Sequence, residues 1–309
     1  MSLRAVVVGA GMMGRWHARA AVRAGATIVA VVDPRTQAAE TLAHELGSTA
    51  HEALAPALTP PPNVVHVCTP DATHPQIAES ALQAGAHALV EKPVGSAEAV
   101  DRLAAVARSR GLTLTPGHQM LFQGWAAALP SIGRVRSVEH RICSTGSSPD
   151  PRELTWGIAW HGLAIAHHIL GDVDWTPCWA GADLAAVGVA GGATVSLGVS
   201  LGGRPPRNRL TVVGEAGTIE ADLALGHHTV QRGGTSRAAK LSRPFRASSG
   251  ESLAAARTLA SRAVSGENAF PGLRPLTRAV YAHVRGEAHP ALPASHLPAV
   301  ARAAEAIRP

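Results

Sequence analysis

Short apolar runs alternate with longer segments of helical periodicity along the first third of the chain. The runs are rich in Val, Ala and Ile and show no polar alternation, which indicates strands that are buried on both faces. The predicted strands are 3–8, 27–32, 63–68, 87–90 and 112–115, and the predicted helices are 15–24, 36–46, 75–84 and 97–110. Strands that alternate with helices of this length predict an α/β fold with a doubly wound parallel sheet.

The pattern changes after about residue 120. Residues 134–143 alternate as a strand with one solvent face, residues 157–170 form an apolar helix, and residues 183–232 are rich in Val, Thr and Gly. Within that last stretch, the segments 209–213 and 218–223 flank a Gly-containing turn and predict a hairpin. Helical periodicity then marks 251–264, 273–285 and 294–307, while 233–250 is interpreted as a loop. The 309 residues therefore predict two domains, an α/β domain at 1–119 and an α+β domain with a mainly antiparallel sheet at 120–309.

A glycine-rich turn joins the first strand to the first helix. It has the pattern G-x-G-x-x-G, formed by Gly9, Gly11 and Gly14 with Met12 and Met13 between the last two. In this pattern the first glycine permits the turn, the second lets a pyrophosphate approach the backbone, and the third lets helix and strand pack closely. The free N–H groups at the helix start favour that anion. The strand before the turn and the helix after it predict a Rossmann dinucleotide-binding domain.

An acidic residue, Asp33, follows the second strand, where a carboxylate would accept a hydrogen bond from the ribose 2′-hydroxyl of the cofactor. Its charge disfavours a 2′-phosphate, so NAD is the expected cofactor. Arg35, two residues on, can stack on adenine or hold that phosphate, and NADP stays open as the alternative.

The basic residues are unusually uniform. Of the 28 Lys and Arg residues, Lys92 and Lys240 are lysines and the other 26 are arginines. Because a buried lysine can shift its pKa by several units whereas arginine stays charged, a lysine kept in such a chain is a catalytic candidate.

The same composition argues against several other classes of protein. The net charge is +6, but the arginines are scattered and aromatic residues make up 3%, so a nucleic-acid partner is not expected. The three cysteines have no C-x-x-C spacing, and His161, His167 and His168 have no ligand spacing with a carboxylate, so no metal site is expected. No apolar run reaches about 18 residues and no charged leader precedes the first strand, so a soluble, cytoplasmic protein is expected.

Three motifs occur in order: GAGMMGRWH at 9–17, TPDATH at 69–74 and EKP at 91–93. Together they resemble the Gfo/Idh/MocA family of NAD(P)-dependent oxidoreductases, named for glucose-fructose oxidoreductase, inositol dehydrogenase and a rhizopine-catabolism protein. The resemblance extends over essentially the whole chain. It implies hydride transfer between nicotinamide and a C–OH or C=O carbon of a sugar, cyclitol or related polar metabolite, with residues 120–309 binding the substrate.

The resemblance also implies site residues. Beyond the glycine turn, cofactor contacts are implied for Thr69, Pro70, His74, Glu91 and Lys92. The lysine of EKP contacts both the nicotinamide region and the reacting oxygen in this family. Counting back from Leu170-Gly171 places the family's acid/base histidine at His161, and Gln119 lies where the family often has a polar contact with substrate or cofactor.

One family residue is absent. The aspartate four positions before the histidine is Gly157 here. In the family this aspartate commonly hydrogen-bonds a substrate hydroxyl next to the reacting carbon. Its absence disfavours a plain sugar vicinal diol, unless another residue takes its role.

Elementary chemistry supports the pair Lys92 and His161 independently of the family. Hydride transfer at a carbon that bears oxygen needs a proton donor or acceptor at that oxygen, and histidine, with a pKa near 6.5, suits this role. An ammonium group beside the oxygen stabilises a developing alkoxide, and the positive nicotinamide ring should lower the pKa of Lys92. The alternative is a surface lysine and a core histidine. A Tyr-x-x-x-Lys mechanism is excluded, because the one tyrosine, Tyr281, has Arg285 rather than a lysine four residues later.

Weaker candidates lie around the predicted helix. Trp156 and Trp160 belong to a group of tryptophans there and suit stacking on a sugar face, with filling of the core as the alternative for Trp160. Arg152, interpreted as part of the loop before the helix, suits an anionic substrate group, with a solvated surface position as the alternative.

Two further functions stay open beside sugar oxidation. One keeps the cofactor and reduces a ketone or imine in a biosynthetic, specialised-metabolite pathway, or assists glycoside cleavage by redox chemistry. The other is a non-enzymatic nucleotide sensor. An exposed face on the second domain's sheet also predicts a homodimer or homotetramer formed through that sheet.

Overall fold

The computed structural model describes residues 2–232, 237–266, 269–287 and 293–309, without the side chains of 237–247 and 265. The elements of the first third are β1 (Arg4–Val8), α1 (Met12–Arg23), β2 (Thr27–Val32), α2 (Thr36–Leu46), β3 (Thr49–His51), α3 (Leu54–Ala57), β4 (Val64–Val67), α4 (His74–Gln83), β5 (His87–Val90), α5 (Ala97–Ser109) and β6 (Leu114–Pro116). Those that follow are α6 (Gly124–Ala128), β7 (Val135–Cys143), α7 (Pro151–Leu170), β8 (Asp174–Ala180), β9 (Asp183–Ala190), β10 (Ala193–Ser200), β11 (Arg207–Gly214), β12 (Gly217–Asp222), β13 (His227–Arg232), α8 (Arg237–Ser265), α9 (Leu273–Val284) and α10 (His296–Ala306).

The first compact unit contains the residues up to His118 together with Leu273–Glu305. Its six strands are parallel and lie in the order β3-β2-β1-β4-β5-β6. β4 is buried along its whole length, as expected for a strand covered on both faces. The order reverses between β1 and β4, and in such sheets ligands bind beyond the carboxyl ends of the strands at this point. The predicted doubly wound sheet is confirmed.

The last helices of the chain belong to this first unit. α9 packs on α1 and buries Leu276, Val280 and Tyr281. On α10, Glu305 accepts a hydrogen bond from the backbone N–H of Ala97 at 2.7 Å. The predicted division at residue 119 assigns these helices to the second domain, whereas here they belong to the first compact unit.

The second compact unit contains Gln119–Gly272 and Ala306–Pro309. Its seven-stranded sheet has the order β13-β12-β11-β7-β10-β9-β8, in which β7 and β10 are parallel and every other neighbouring pair is antiparallel. The predicted hairpin is β11 and β12, and α7 packs on one face of the sheet against β10, β9 and β7. The mainly antiparallel α+β domain is therefore confirmed.

Two local expectations for this unit were wrong. α7 begins six residues earlier than predicted, because the Asp150 carboxylate accepts from the backbone N–H groups of Arg152 and Glu153 and Pro151 occupies the first helical position. Arg152 therefore lies in the first turn of a helix rather than in a loop. Residues 237–250, interpreted as a loop, belong to α8, where Ala, Arg, Lys and Leu favour helix despite one proline, while residues 233–236 lie outside the described residues.

Candidate active site

The glycine turn has the geometry that its sequence predicts. Gly9 has φ of 98°, and a Cβ there would lie 2.5 Å from the carbonyl oxygen of Cys68. A Cβ on Gly14 would overlap the carbonyl oxygen of Gly9, so the third glycine permits the close contact between helix and turn. Gly11 is different, because a Cβ there would meet no atom of the described residues within 4 Å. The fold requires the first and third glycines, whereas the second leaves open space where a ligand can approach the backbone.

The start of α1 completes this cradle. Gly11 is the N-cap and offers no side-chain hydrogen bond to the first N–H groups of the helix. Met12 is exposed and Met13 half-buried at the first turn. Open space beside uncapped N–H groups fits a pyrophosphate, which such a helix start attracts.

Asp33 lies directly after β2 and is 4% exposed. Its carboxylate accepts from the backbone N–H of Ala10 at 2.8 Å and from the Arg35 guanidinium through Nε and a terminal nitrogen, each at 3.0 Å. The hydrogen bond from Arg35 is the main cause that lowers the pKa of Asp33 to about 2, so the carboxylate is charged at neutral pH. Arg35 itself is largely exposed, and its hold on Asp33 partly offsets the charge that a 2′-phosphate would meet.

The loop after β4 is braced rather than open. The His74 ring lies 2.8 Å from the carbonyl oxygen of Thr69 through Nε2 and 2.6 Å from that of Pro93 through Nδ1. His74 is fully buried, so it ties the loop at Thr69 and Pro70 to the EKP segment. This geometry favours a bracing role for His74 over the direct cofactor contact that the resemblance implies.

A buried polar network surrounds Glu91. His17 on α1 lies 2.9 Å from the Glu91 carboxylate through Nε2 and 3.1 Å from Nδ1 of His66 through its own Nδ1. His66 on β4 in turn lies 2.7 Å from the hydroxyl of Tyr281 on α9 through Nε2. Both histidines and the tyrosine have no exposed surface, and Glu91 is 8% exposed.

The pKa values of the two histidines show which groups of this network carry protons. Burial by itself lowers the pKa of His17, but Cys68 and the Glu91 carboxylate outweigh it and raise the value to about 10. His17 is therefore an imidazolium that donates to Glu91 and to Nδ1 of His66. Burial and the positive charge of His17 lower the pKa of His66, which is neutral and so donates through Nε2 to the oxygen of Tyr281.

The EKP segment is positioned by this network. Gly117 has no room for a side chain, because a Cβ there would lie 2.8 Å from Oε1 of Glu91. Burial raises the pKa of Glu91, but the hydrogen bond and charge of His17 outweigh it and leave the pKa below its usual value. Lys92 follows at the carboxyl end of β5 and is partly buried; burial lowers its pKa, against the carboxylates of Glu91 and Asp71. The lowered pKa of Lys92 agrees with the direction expected from the sequence, although burial, and not the charge of a nicotinamide ring, is the main cause.

In the second unit, α7 carries His161 in a half-buried position. Trp160 beside it is fully buried, and its ring meets the Trp156 ring edge-on with centroids 5.8 Å apart. Arg308 lies 4.8 Å from the Trp156 ring centroid and 3.1 Å from the carboxylate of Glu153. The geometry favours the core interpretation for Trp160 and gives Trp156 an arginine as its neighbour.

The remaining candidates of this unit are placed as follows. Arg152 donates to the carbonyl oxygen of Gly181 at 2.8 Å and lies 5.9 Å from the Trp179 ring centroid, contacts that anchor it to the turn between β8 and β9. Gln119 is 6% exposed, and its side-chain oxygen has no hydrogen-bond partner within the described ranges. Lys92 and His161 belong to different units.

Sequence reasoning did not identify the network behind Glu91. A local signal was present in His66, a polar residue inside an otherwise apolar strand. His17 closes the first motif at its ninth position, but Tyr281, distant in the sequence, has no motif to mark it.

No group of three or more His, Cys, Asp or Glu residues that could hold a metal is present among the described residues. In the same part of the chain, no helix has both the length and the hydropathy that a membrane span requires.

These features define a class: a Rossmann-fold protein whose glycine turn, open cradle and ionised aspartate fit a nicotinamide dinucleotide. Residues 3–118 match the GFO_IDH_MocA family, described as "Oxidoreductase family, NAD-binding Rossmann fold". The match covers the first unit, and it agrees with the resemblance and with NAD as the expected cofactor.

A relative and three solved structures extend the comparison. UDP-N-acetylglucosamine 3-dehydrogenase of Acidithiobacillus ferrooxidans is 37% identical over 117 residues, a match that spans 38% of this chain and 37% of that protein. The structure of the A. ferrooxidans enzyme of that name, GnnA, has a TM-score of 0.78 at 20% identity and covers 100% of this chain and 97% of its own.

Two further structures are similar over nearly the whole chain. GenD2 from gentamicin A biosynthesis, in complex with NAD, has a TM-score of 0.73 at 22% identity and covers 99% of this chain and 93% of its own. WlbA of Bordetella pertussis, in complex with NADH and UDP-GlcNAcA, has a TM-score of 0.75 at 18% identity and covers 99% of this chain and 96% of its own. At these identities the likeness establishes the fold alone.

Proposed function

We propose that this protein is an NAD-dependent oxidoreductase that oxidises a secondary hydroxyl of a sugar-like substrate to a ketone. The observation that carries this is Lys92, partly buried at the carboxyl end of β5 and directly after Glu91, which His17 holds, in a unit that fits NAD. Bound NAD supplies the hydride acceptor. The substrate loses a hydride from carbon and a proton from oxygen, and the products are a ketone, NADH and a proton.

Each protein group has a defined task in this proposal. The Lys92 ammonium donates a hydrogen bond to the reacting oxygen and stabilises the negative charge that develops there. His161 receives the hydroxyl proton in oxidation and returns one in reduction. The ionised Asp33 accepts from the ribose hydroxyl of the adenosine and so orients the cofactor.

The first candidate substrate is a nucleotide-activated N-acetyl amino sugar, with UDP-N-acetylglucosamine as the compound to try first. Support comes from the A. ferrooxidans relative, a UDP-N-acetylglucosamine 3-dehydrogenase, and from UDP-GlcNAcA in the WlbA complex. A second candidate is reduction of a ketone in a biosynthetic pathway, which the likeness to GenD2 supports.

Single substitutions at the two proposed catalytic residues test the reaction. Lys92→Ala and His161→Ala should each lower kcat by about 100-fold or more while NADH binding, followed by fluorescence, is retained. Lys240→Ala, at the other lysine, and His167→Ala, on the same helix as His161, are the matched controls and should keep full activity. Full turnover in both test variants would refute the proposal, and a wild type that binds NADH but turns over no sugar, ketone or imine would favour a sensor.

We also propose that the chain forms a homodimer or homotetramer through the second unit's sheet. Val187 and Val189 on β9 are 54% and 60% exposed on the face that alternation places away from α7. Light scattering that gives a monomer mass would refute this, and Val187→Glu should shift the assembly toward the monomer. A cytoplasmic location stays a prediction.

A further inference from the structure

Two interior glycines of α7 differ in what the fold demands of them. A Cβ on Gly162 would overlap Cδ1 of Leu197 and lie 2.9 Å from Nδ1 of His140, both of which project from the sheet beneath the helix. This glycine is therefore explained by the close packing of α7 on the sheet.

Packing gives no such reason for Gly157. A Cβ there would meet no atom of the described residues within 4 Å, and the backbone does not have a positive φ. Since glycine in a helix interior is less favourable than alanine, stability alone would favour a side chain at this position. Glycine at position 157 therefore costs the helix some stability, and a Cβ there would fit without a clash.

The space is on the face of the helix that carries His161. Residues four apart in a helix lie one above the other, so the position of the missing side chain lies one turn before His161. Glu153, one turn before Gly157, pairs with Arg308, and Arg308 also lies over the ring of Trp156. An open position one turn from the proposed catalytic histidine suits recognition of a substituent by shape.

We propose that Gly157 is a specificity-determining position, whose open space receives a substituent larger than a hydroxyl on the substrate carbon next to the one that is oxidised. This inference rests on the proposed function, in which His161 serves the reacting oxygen. The class of substituent is an acylamino group. In an N-acetylglucosamine oxidised at carbon 3, the acetamido group on carbon 2 has this relation to the reacting carbon.

The test compares UDP-N-acetylglucosamine with UDP-glucose, which carries a hydroxyl at carbon 2. In Gly157→Ala, kcat/KM for UDP-N-acetylglucosamine should fall by about tenfold, because one added carbon in a pocket costs about this factor. In Gly157→Val, with a larger side chain, kcat/KM should fall further. The kcat/KM for UDP-glucose should change by less than about twofold in the same variants.

Stability separates this effect from damage to the fold. Gly157→Ala should raise the midpoint of thermal unfolding by about 2 °C, as expected for removing a helical glycine. Gly162→Ala, the matched control on the same helix, should lower the midpoint because of its overlap with Leu197.

The outcomes distinguish the inference from the function on which it rests. Equal effects on the two nucleotide sugars, no effect on either, or a wild type that oxidises UDP-glucose but not UDP-N-acetylglucosamine would overturn the role of Gly157 and leave the dehydrogenase activity standing. A wild type that binds NADH and oxidises no sugar would overturn the proposed function, and the inference with it.

Discussion

Replacing Glu91 by glutamine should remove a pH-dependent part of the protein's stability. Glu91 and His17 form an ion pair with 2.9 Å between Oε1 and Nε2, and the His17 ring has no exposed surface. Burial alone would lower the pKa of His17, but Cys68 and Glu91 raise it to about 10. Glutamine keeps the shape and one acceptor oxygen but removes the charge, so the pKa of His17 should fall.

The sign of the effect follows from proton linkage. An unfolded histidine titrates near 6.5 and folded His17 near 10, so between these values the folded state holds a proton that the unfolded state has released. The stabilisation is complete below pH 6.5, decreases by about 1.4 kcal/mol per pH unit above it, and is lost as the pH rises through about 10. Its full size is at most about 5 kcal/mol. Burial raises the pKa of the Cys68 thiol, so Glu91 is the charged partner over most of this range.

Urea unfolding of the wild type and Glu91→Gln, at about pH 6 and about pH 9, measures this difference. The variant should lose several kcal/mol at the lower pH and about 1 kcal/mol at the higher one. Glu139→Gln is the control, since the Glu139 pair with Arg141 is exposed and should contribute less than about 1 kcal/mol at either pH. A loss in Glu91→Gln that is the same at both pH values would refute the charged state assigned to His17.

Four further substitutions test the cofactor unit. Gly11→Ala should keep the unfolding midpoint but weaken NADH binding in a fluorescence titration by about tenfold. Gly14→Ala should fail to fold, because its Cβ would overlap the backbone of the glycine turn. Equal stability of the two variants would contradict this geometry. Asp33→Asn should release Arg35 and shift the ratio of NADP to NAD affinity toward NADP by roughly tenfold, and an unchanged ratio would show that Asp33 does not select the cofactor. Tyr281→Phe should cost about 1–3 kcal/mol in urea unfolding, since it leaves a buried ring N–H of its histidine partner unpaired, and a neutral effect would contradict that hydrogen bond.

The sequence predicted the first sheet well because local signals there agree. Continuous apolar strands, a glycine turn in its context and an acid after β2 all indicate one fold, and the structure has that fold. The start of α7 was missed because Asp150-Pro151 was interpreted as loop, although an aspartate before a proline also caps a helix. The start of α8 was not predicted, because isolated helix-breaking residues were given more weight than the several helix-forming residues around them.

The site divides in the same way. Lys92 has two signals that sequence alone contains, its motif and the rarity of lysine in an arginine-rich chain. The residues that position its neighbour Glu91 have no such signal in the sequence. His17, His66 and Tyr281 come together through tertiary structure, and the last two are 215 residues apart in the chain. Periodicity shows that these positions are in elements, but it does not show which polar groups meet inside.

The position of Tyr281 explains why a single cut in the chain does not describe the domains. An amphipathic helix shows from its sequence that it will cover a surface, but not which surface, since any apolar face near its end of the chain satisfies the pattern. α9 packs on α1, and in doing so it brings the hydroxyl of Tyr281 to His66, whose other ring nitrogen meets the imidazolium that pairs with Glu91. A helix from the end of the chain thus completes the hydrogen bonds behind the EKP segment. The cofactor unit therefore depends on both ends of the sequence, and residues 1–119 alone would leave a buried histidine without the acceptor that α9 supplies.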